Sequence, residues 1–470
     1  MKNVILAAVG AALAFSSPAS AQSAQEQLDE RYNRALAAGY KALMLCGAIA
    51  NAEAIGGKRT PESVHEWELT GIYPVLDPII RDLSYRIERY PFEVDGPKPA
   101  LISHVAVEWA DDMPPRIAQS RLGKGCNVKP IGFTEDQLRY GDEREYRRQL
   151  VIPGIPSATI PEYLSGPVDD AFDGTYGKGS RTTAVIIRHD DRELVQQYAQ
   201  GFGRRTPQRT WSVAKSIAAT LVGMAVQAGE ADVSNSAGLG QGEADPRNAI
   251  TIDHALRMAS GRYSDTAGNR TDPLYWGGTT VEERPQTWPI LHQPGTVFRY
   301  ANNDTLAAAE AVQPFVDGTG LERLRDTVGM LSSVAEADWQ GNYVLSSQMW
   351  ATATDLASLG QFYLDGGEAY DGAQILPENW REYVSDPSGP QPEGTDWGYG
   401  AGWWTFRRPE GNAFEGIPDD AFAARGNRGQ YVVVVPSRDV VIVRRGEDMV
   451  GTRFDIAAFT RDVLAALENE

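Results

Sequence analysis

Two apolar hairpins dominate what this chain can fold into. Tyr431-Val432-Val433-Val434-Val435 is an unbroken apolar run, Pro436-Ser437-Arg438-Asp439 turns it, and Val440-Val441-Ile442-Val443 returns. That pattern reads as two buried strands in a hairpin, so the sheet there is antiparallel. Ala184-Val185-Ile186-Ile187-Arg188-His189 is a second strand pattern, with Asp190-Asp191 as the turn and Leu194 to Tyr198 as the returning strand. A helix pattern lies between the hairpins, from Ser212 to Gln227. Its apolar face carries Val213, Ile217, Leu221 and Val222, and Gly229 ends it. The last pattern, Phe454 to Leu467, is an amphipathic helix. Strands, then helices, then strands predict one α/β region from about Leu164 to Glu470, with a sheet built from both its ends.

The rest of the 470-residue chain precedes this region. Ala24 to Ala50 lacks proline and is rich in Ala, Leu and Glu, which predicts a helix. Pro61 to Pro99 is mixed, and Gly154-Ile155-Pro156-Ser157-Ala158 reads as a connection. The first residues have the form of an export signal. Lys2 is the positive head, Val4 to Phe15 the apolar stretch, and Ala19-Ser20-Ala21 the small-residue cleavage site. Val4 to Phe15 is too short to span a bilayer, and no later segment reaches that length in the sequence pattern. The expectation is a mature protein with no membrane span, in the periplasm or outside the cell.

The net charge of −19 disfavours nucleic acid and anionic membranes as partners. Two cysteines, Cys46 and Cys126, follow the signal. In an oxidising compartment a disulfide between them is expected, the alternative being two buried thiols. The bond would close a loop of about 80 residues and contribute about 4 kcal/mol in the chain-entropy account.

Three motifs carry chemistry. In Ser212-Val213-Ala214-Lys215, positions i and i+3 share a helix face, which sets the lysine amine beside the serine hydroxyl. A serine needs a base to become a nucleophile, and a buried lysine that loses its charge can be one. The alternative is a surface lysine near a helix-start serine. In Tyr300-Ala301-Asn302, alternation puts the phenol and the amide on one side. A tyrosine there can move protons and an asparagine can hold a lysine or a carbonyl. The alternative is a packed tyrosine with a satisfied hydroxyl. In Ala424-Arg425-Gly426-Asn427, glycine lets a substrate approach a strand edge whose N–H groups can bind an oxyanion. The alternative is an ordinary glycine turn.

In order and spacing the three resemble the penicillin-recognising serine hydrolases. That family includes class C β-lactamases, D,D-peptidases, carboxylesterases and 6-aminohexanoate-oligomer hydrolases. Tyr300 follows Ser212 by 88 residues, and Pro294-Gly295 precedes it as in the family. Thr251 to Gly261 and Met349-Trp350-Ala351-Thr352-Ala353-Thr354-Asp355-Leu356-Ala357 also resemble family segments. The resemblance runs from about Thr182 to Ala465. It implies a β-lactamase/transpeptidase-like fold, with a central antiparallel sheet flanked by helices and an all-helical subdomain. The implied organisation is a signal over 1–21, an N-terminal extension or cap over 22–163, and a hydrolase domain over 164–470. Ser212 would be the acylated nucleophile. Lys215 and Tyr300 would share the proton work, and Asn302 would hold the lysine or the substrate carbonyl. The N–H groups of Ser212 and Asn427 would bind the oxyanion. Segments around Cys46 and Cys126 resemble extensions of some bacterial members, which also supports their pairing.

The third motif departs from the family. Its β-lactamases and D,D-peptidases have Lys-Thr-Gly where this chain has Ala424-Arg425-Gly426. The carboxylate-binding lysine is missing, and strand alternation lets Arg425 face away from the cleft. The Gly426-x-x-Gly429-Gln430 ending resembles the nylon-oligomer hydrolases instead, as does Tyr263, an additional donor on the cleft wall under that resemblance. Tyr275, Trp276, Trp397, Tyr399, Trp403 and Trp404 are candidates for apolar cleft walls, or for core.

No metal or other cofactor is called for. The five histidines lack ligand spacing, Gly177-Lys178-Gly179 lacks the rest of a phosphate loop, and no Gly-x-Ser-x-Gly elbow occurs. The partner implied is a small-molecule amide or ester. The rival readings are a β-lactamase or D,D-carboxypeptidase, and a non-catalytic penicillin-recognising binding protein.

Overall fold

The computed structural model describes residues 18–90, 101–121, 123–140, 159–263, 271–282 and 288–469. Most of the anticipated signal and the Gly154–Ala158 connection lie outside these residues.

The N-terminal part opens with helix α1, Pro18–Ala54. It packs on a four-stranded antiparallel sheet of β1 (Tyr85–Arg89), β2 (Ile102–Val107), β3 (Arg116–Arg121) and β4 (Gly125–Val128), in that order. From Ala35 to Ala50, α1 is buried on every side, as an apolar helix must be inside a protein. This corrects the expectation that no later segment reaches membrane-spanning length. Gln22–Ala54 is long and apolar enough, but its apolar window is entirely buried inside the protein. Cys46 of α1 is disulfide-bonded to Cys126 of β4, as anticipated, with the two Cα atoms 6.1 Å apart.

The second part is built on a seven-stranded sheet. In chain order its strands are β5 (Thr182–His189), β6 (Arg192–Tyr198), β7 (Gly398–Tyr399), β8 (Trp404–Thr405), β9 (Phe422–Gly426), β10 (Gln430–Val435) and β11 (Val440–Gly446). They are arranged 7-8-9-10-11-5-6, antiparallel throughout. The two hairpins meet where β11 pairs with β5, with Ile442 opposite Ile187. The sheet is thus assembled from both ends of the region. Asp190 and Asp191 both have positive φ, 47° and 59°, which suits a tight hairpin turn.

Helices cover both faces. Val432, Val434, Val441 and Val443 pack against α3 (Val213–Gln227) and α6 (Ala353–Leu364). Val433, Val435, Val440 and Ile442 pack against α2 (Glu162–Asp173) and α7 (Ile456–Leu467). A strand buried on both faces needs no polar alternation, so the valine run is continuous. Two further helices complete the setting of the site, α4 (Ile252–Leu256) and α5 (Asn302–Glu310).

The two parts share a core. Residues of α1 and the small sheet cluster with Trp211, Leu274, Trp276, Leu306 and Trp350. Arg116 of β3 donates to the Trp276 carbonyl at 3.1 Å, and Glu336 Oε1 accepts the Cys126 N–H at 2.8 Å.

Candidate active site

The nucleophile candidate sits at a strand-to-helix elbow. Gln208 and Arg209 pair with Ala351 and Trp350, and the Thr210 N–H donates to the Met349 carbonyl at 2.7 Å. The chain then turns through Trp211, whose φ is +51°. A positive φ in a bulky aromatic is strained and persists only where its surroundings enforce it. Trp211 is enclosed, with the Arg209 guanidinium 4.2 Å from its ring centroid. Ser212 follows as the N-cap of α3.

Lys215 lies one turn along α3 and is 1% exposed. Its Nζ is 3.2 Å from Ser212 Oγ, 2.6 Å from Asn302 Oδ1 and 2.8 Å from the Ser346 carbonyl oxygen. All three partners are neutral oxygens. None offsets an ammonium charge, so burial wins and lowers the lysine to about 7.

Tyr300 shares the cluster. Its ring centroid is 5.0 Å from Lys215 Nζ, and its phenol is hydrogen-bonded with Ser212. Burial pushes the phenol up to about 12, while that hydrogen bond and the Arg425 charge work the other way. The segment bearing Tyr300 is hooked to the stretch after α4. Arg299 N–H donates to the Met258 carbonyl at 2.7 Å, and Gly295 N–H to the Ala259 carbonyl at 2.8 Å. Asn302 opens α5 and is 3% exposed. Further along the first turn, Asp304 accepts from Ser260 Oγ at 2.7 Å and pairs with Arg262 at 3.0 Å, both charges buried. These contacts explain why Thr251 to Gly261 matters to the site. His254 is structural: it closes the capping box of α4 with Thr251.

Ser212, Tyr300 and Asn302 line one cavity of about 370 Å³ with Gly426 and Asn427. A Cβ on Gly426 would lie 2.5 Å from the Thr210 carbonyl oxygen, so glycine is what lets β9 come this close to the elbow. The anticipated members of the site are therefore brought together, apart from Tyr263. That residue is 42% exposed, absent from the residues lining the cavity, and tilted against Trp288 with the ring centroids 6.1 Å apart.

Arg425 does not face away. Ala424, where the family has its lysine, is buried in the core against α3, and Arg425 lines the cavity. Alternation is obeyed, but the side opposite Ala424 also opens onto the cleft. Of the aromatic candidates, Tyr275 and Trp404 are wall. Trp276 and Trp403 are completely buried core, and Tyr399 is buried edge-on to Tyr300 at 6.1 Å. Sequence reasoning missed Tyr73, Trp211, Ser346 and Ser347. Ser346 and Ser347 carry no motif. Tyr73 comes from the N-terminal part, which offers no sequence signal of a place in the cleft.

Known proteins share part of the sequence pattern and the fold. The β-lactamase family model matches residues 168–324, the stretch that carries Ser212, Lys215, Tyr300 and Asn302. A Bacillus anthracis protein assigned as a 6-aminohexanoate-dimer hydrolase superposes with a TM-score of 0.54 at 21% identity, over 64% of this chain and 82% of its own. A Bacteroides dorei protein assigned as a β-lactamase superposes with a TM-score of 0.51 at 16% identity, over 66% of this chain and all of its own. No curated relative matches the sequence. The chain is thus similar to the β-lactamase family over residues 168–324, and it has the β-lactamase-like fold of these neighbours.

Proposed function

We propose that the protein is a serine amidase or esterase working through an acyl-enzyme on Ser212. One observation carries the reading. Lys215 gives two hydrogens to Asn302 and Ser346, and its third contact is the Ser212 hydroxyl. A neutral amine keeps two hydrogens and gains a lone pair. Deprotonated Lys215 therefore holds its other partners and accepts the Ser212 proton along the 3.2 Å contact.

The two proton carriers have separate parts. Near neutral pH the lysine, at about 7, is poised to take a proton, and the phenol, at about 12, is poised to give one. Lys215 is the initial base. Ser212 attacks the carbonyl, and the oxyanion is met by the N–H groups of Ser212 and Asn427. Tyr300 gives its proton to the leaving group, and the proton that Lys215 took from Ser212 replaces it. Water then releases the acyl group by the reverse route.

The buried Ala424 disfavours the β-lactamase or D,D-carboxypeptidase reading, since the family's lysine is lost. A complete proton relay disfavours a mere binding protein. The N-terminal sequence and the disulfide support export to the periplasm or beyond. Hydrolysis of short-chain nitrophenyl esters tests the proposal. It should vanish in Ser212→Ala, and a surviving rate would move the nucleophile elsewhere. Efficient nitrocefin turnover would restore the β-lactamase reading.

A further inference from the structure

The cavity holding Ser212 adjoins a second chamber of about 260 Å³. The two share Tyr73, Trp211, Arg425, Gly426, Asn427 and Tyr431. Beyond them, the second chamber is walled by Tyr40 and Ile72 of the N-terminal part and by Arg428, Asp448 and Arg453.

Its charges are unevenly matched. Arg428 Nε donates to Glu447 Oε2 at 2.6 Å, and its Nη2 to the carbonyls of Trp67 and Thr70 at 2.7 and 3.0 Å. Asp448 receives two bonds from Arg444, each 2.8 Å. Those charges are neutralised. The guanidinium groups of Arg425 and Arg453 have no hydrogen bond or ion pair among the described residues. Arg425 is held by aromatic faces instead, its guanidinium 4.1 Å from the Trp397 centroid and 4.8 Å from that of Trp404. Stacking fixes the plane of a guanidinium and leaves its N–H edge for an acceptor. Burial, and behind it the Arg453 charge, hold Arg425 below the ordinary guanidinium range. Arg425 is a largely buried cation without a counter-ion, which is unfavourable in the folded protein alone, and the exposed Arg453 adds a second positive charge beside it. They become favourable once an anion joins them.

We propose that the second chamber is a subsite for an anionic group, a carboxylate carried by the substrate away from the scissile carbonyl and held by Arg425 and Arg453. This rests on the hydrolase reading and narrows it to amides or esters of dicarboxylic or similarly anionic compounds. The site is not the missing lysine restored, because Ala424 lies inside the core. It is assembled from β9, the segment after β11 and the N-terminal part, which gives that part a role in choosing substrate. The net charge of −19 repels anions from the surface at large, so a carboxylate needs this local pair of cations.

Two measurements test it. Glutarate has no bond to cleave, so calorimetric titration reads the subsite alone. It should bind the wild-type protein saturably, about tenfold or more weakly to Arg453→Gln, and less well at high salt. The second compares nitrophenyl hemiglutarate with nitrophenyl butyrate. The ratio of their kcat/KM values should favour the anionic ester and fall about tenfold in Arg453→Gln. Glutarate that fails to bind, or binds both proteins equally, overturns the subsite. Turnover of both esters without preference overturns it too, while leaving the hydrolase intact. Glutarate binding without turnover of either ester supports the subsite and contradicts the hydrolase reading.

Discussion

Asn302 Oδ1 lies 2.6 Å from Lys215 Nζ, closer than Ser212 Oγ at 3.2 Å. The amide holds the amine in place whichever protonation state it is in, and the looser contact is the one across which a proton moves. Asn302→Leu keeps the bulk but removes the acceptor. Ester hydrolysis should fall about 10- to 100-fold, mainly in kcat, because the base loses its aim. An unchanged kcat would show that Ser346 alone positions the lysine.

The working base must be uncharged. Burial brings Lys215 to about 7, so kcat/KM should drop about tenfold per pH unit below that value and level off above it. The phenol, at about 12, stays protonated across this range. Lys215→Arg keeps a cation that does not deprotonate and should lose about 10²- to 10⁴-fold in rate. A flat profile from acid to alkaline pH would assign the base elsewhere.

Gly426 brings β9 against the elbow. In Gly426→Ala the new Cβ would lie 2.5 Å from the Thr210 carbonyl oxygen, two residues before Ser212. Steady-state kinetics should show about a 10²-fold loss, as expected when reacting groups are misplaced. Wild-type rates would mean that the strand edge takes no part in catalysis.

The hairpins and the Ser212, Tyr300 and Gly426 motifs are legible in the sequence because they are local patterns, written in residues close together in the chain. What is not legible there depends on distant segments meeting. Tyr73 reaches the cleft because α1 and the small sheet share a core with Trp211 and Trp276. The expectation that Arg425 points away rests on alternation, which says only that it opposes Ala424. Alternation cannot say that both sides of β9 have neighbours at the site. Tyr263 illustrates the opposite failure, since proximity in sequence to Ser260-Gly261 does not carry it to the cavity.

Asp304→Ala tests the support beneath Asn302. It would leave the Arg262 guanidinium buried without its partner, now 3.0 Å away. Urea unfolding should show a loss of about 3–5 kcal/mol. A loss below about 1 kcal/mol would mean that water or a neighbour replaces the carboxylate readily.

The most direct test of the central claim is labelling with a fluorophosphonate probe, read by peptide mass spectrometry. One adduct is predicted, on Ser212, formed more slowly in Lys215→Arg and absent from Ser212→Ala. Correctly folded protein that takes no label, or takes it on another serine, would contradict the account.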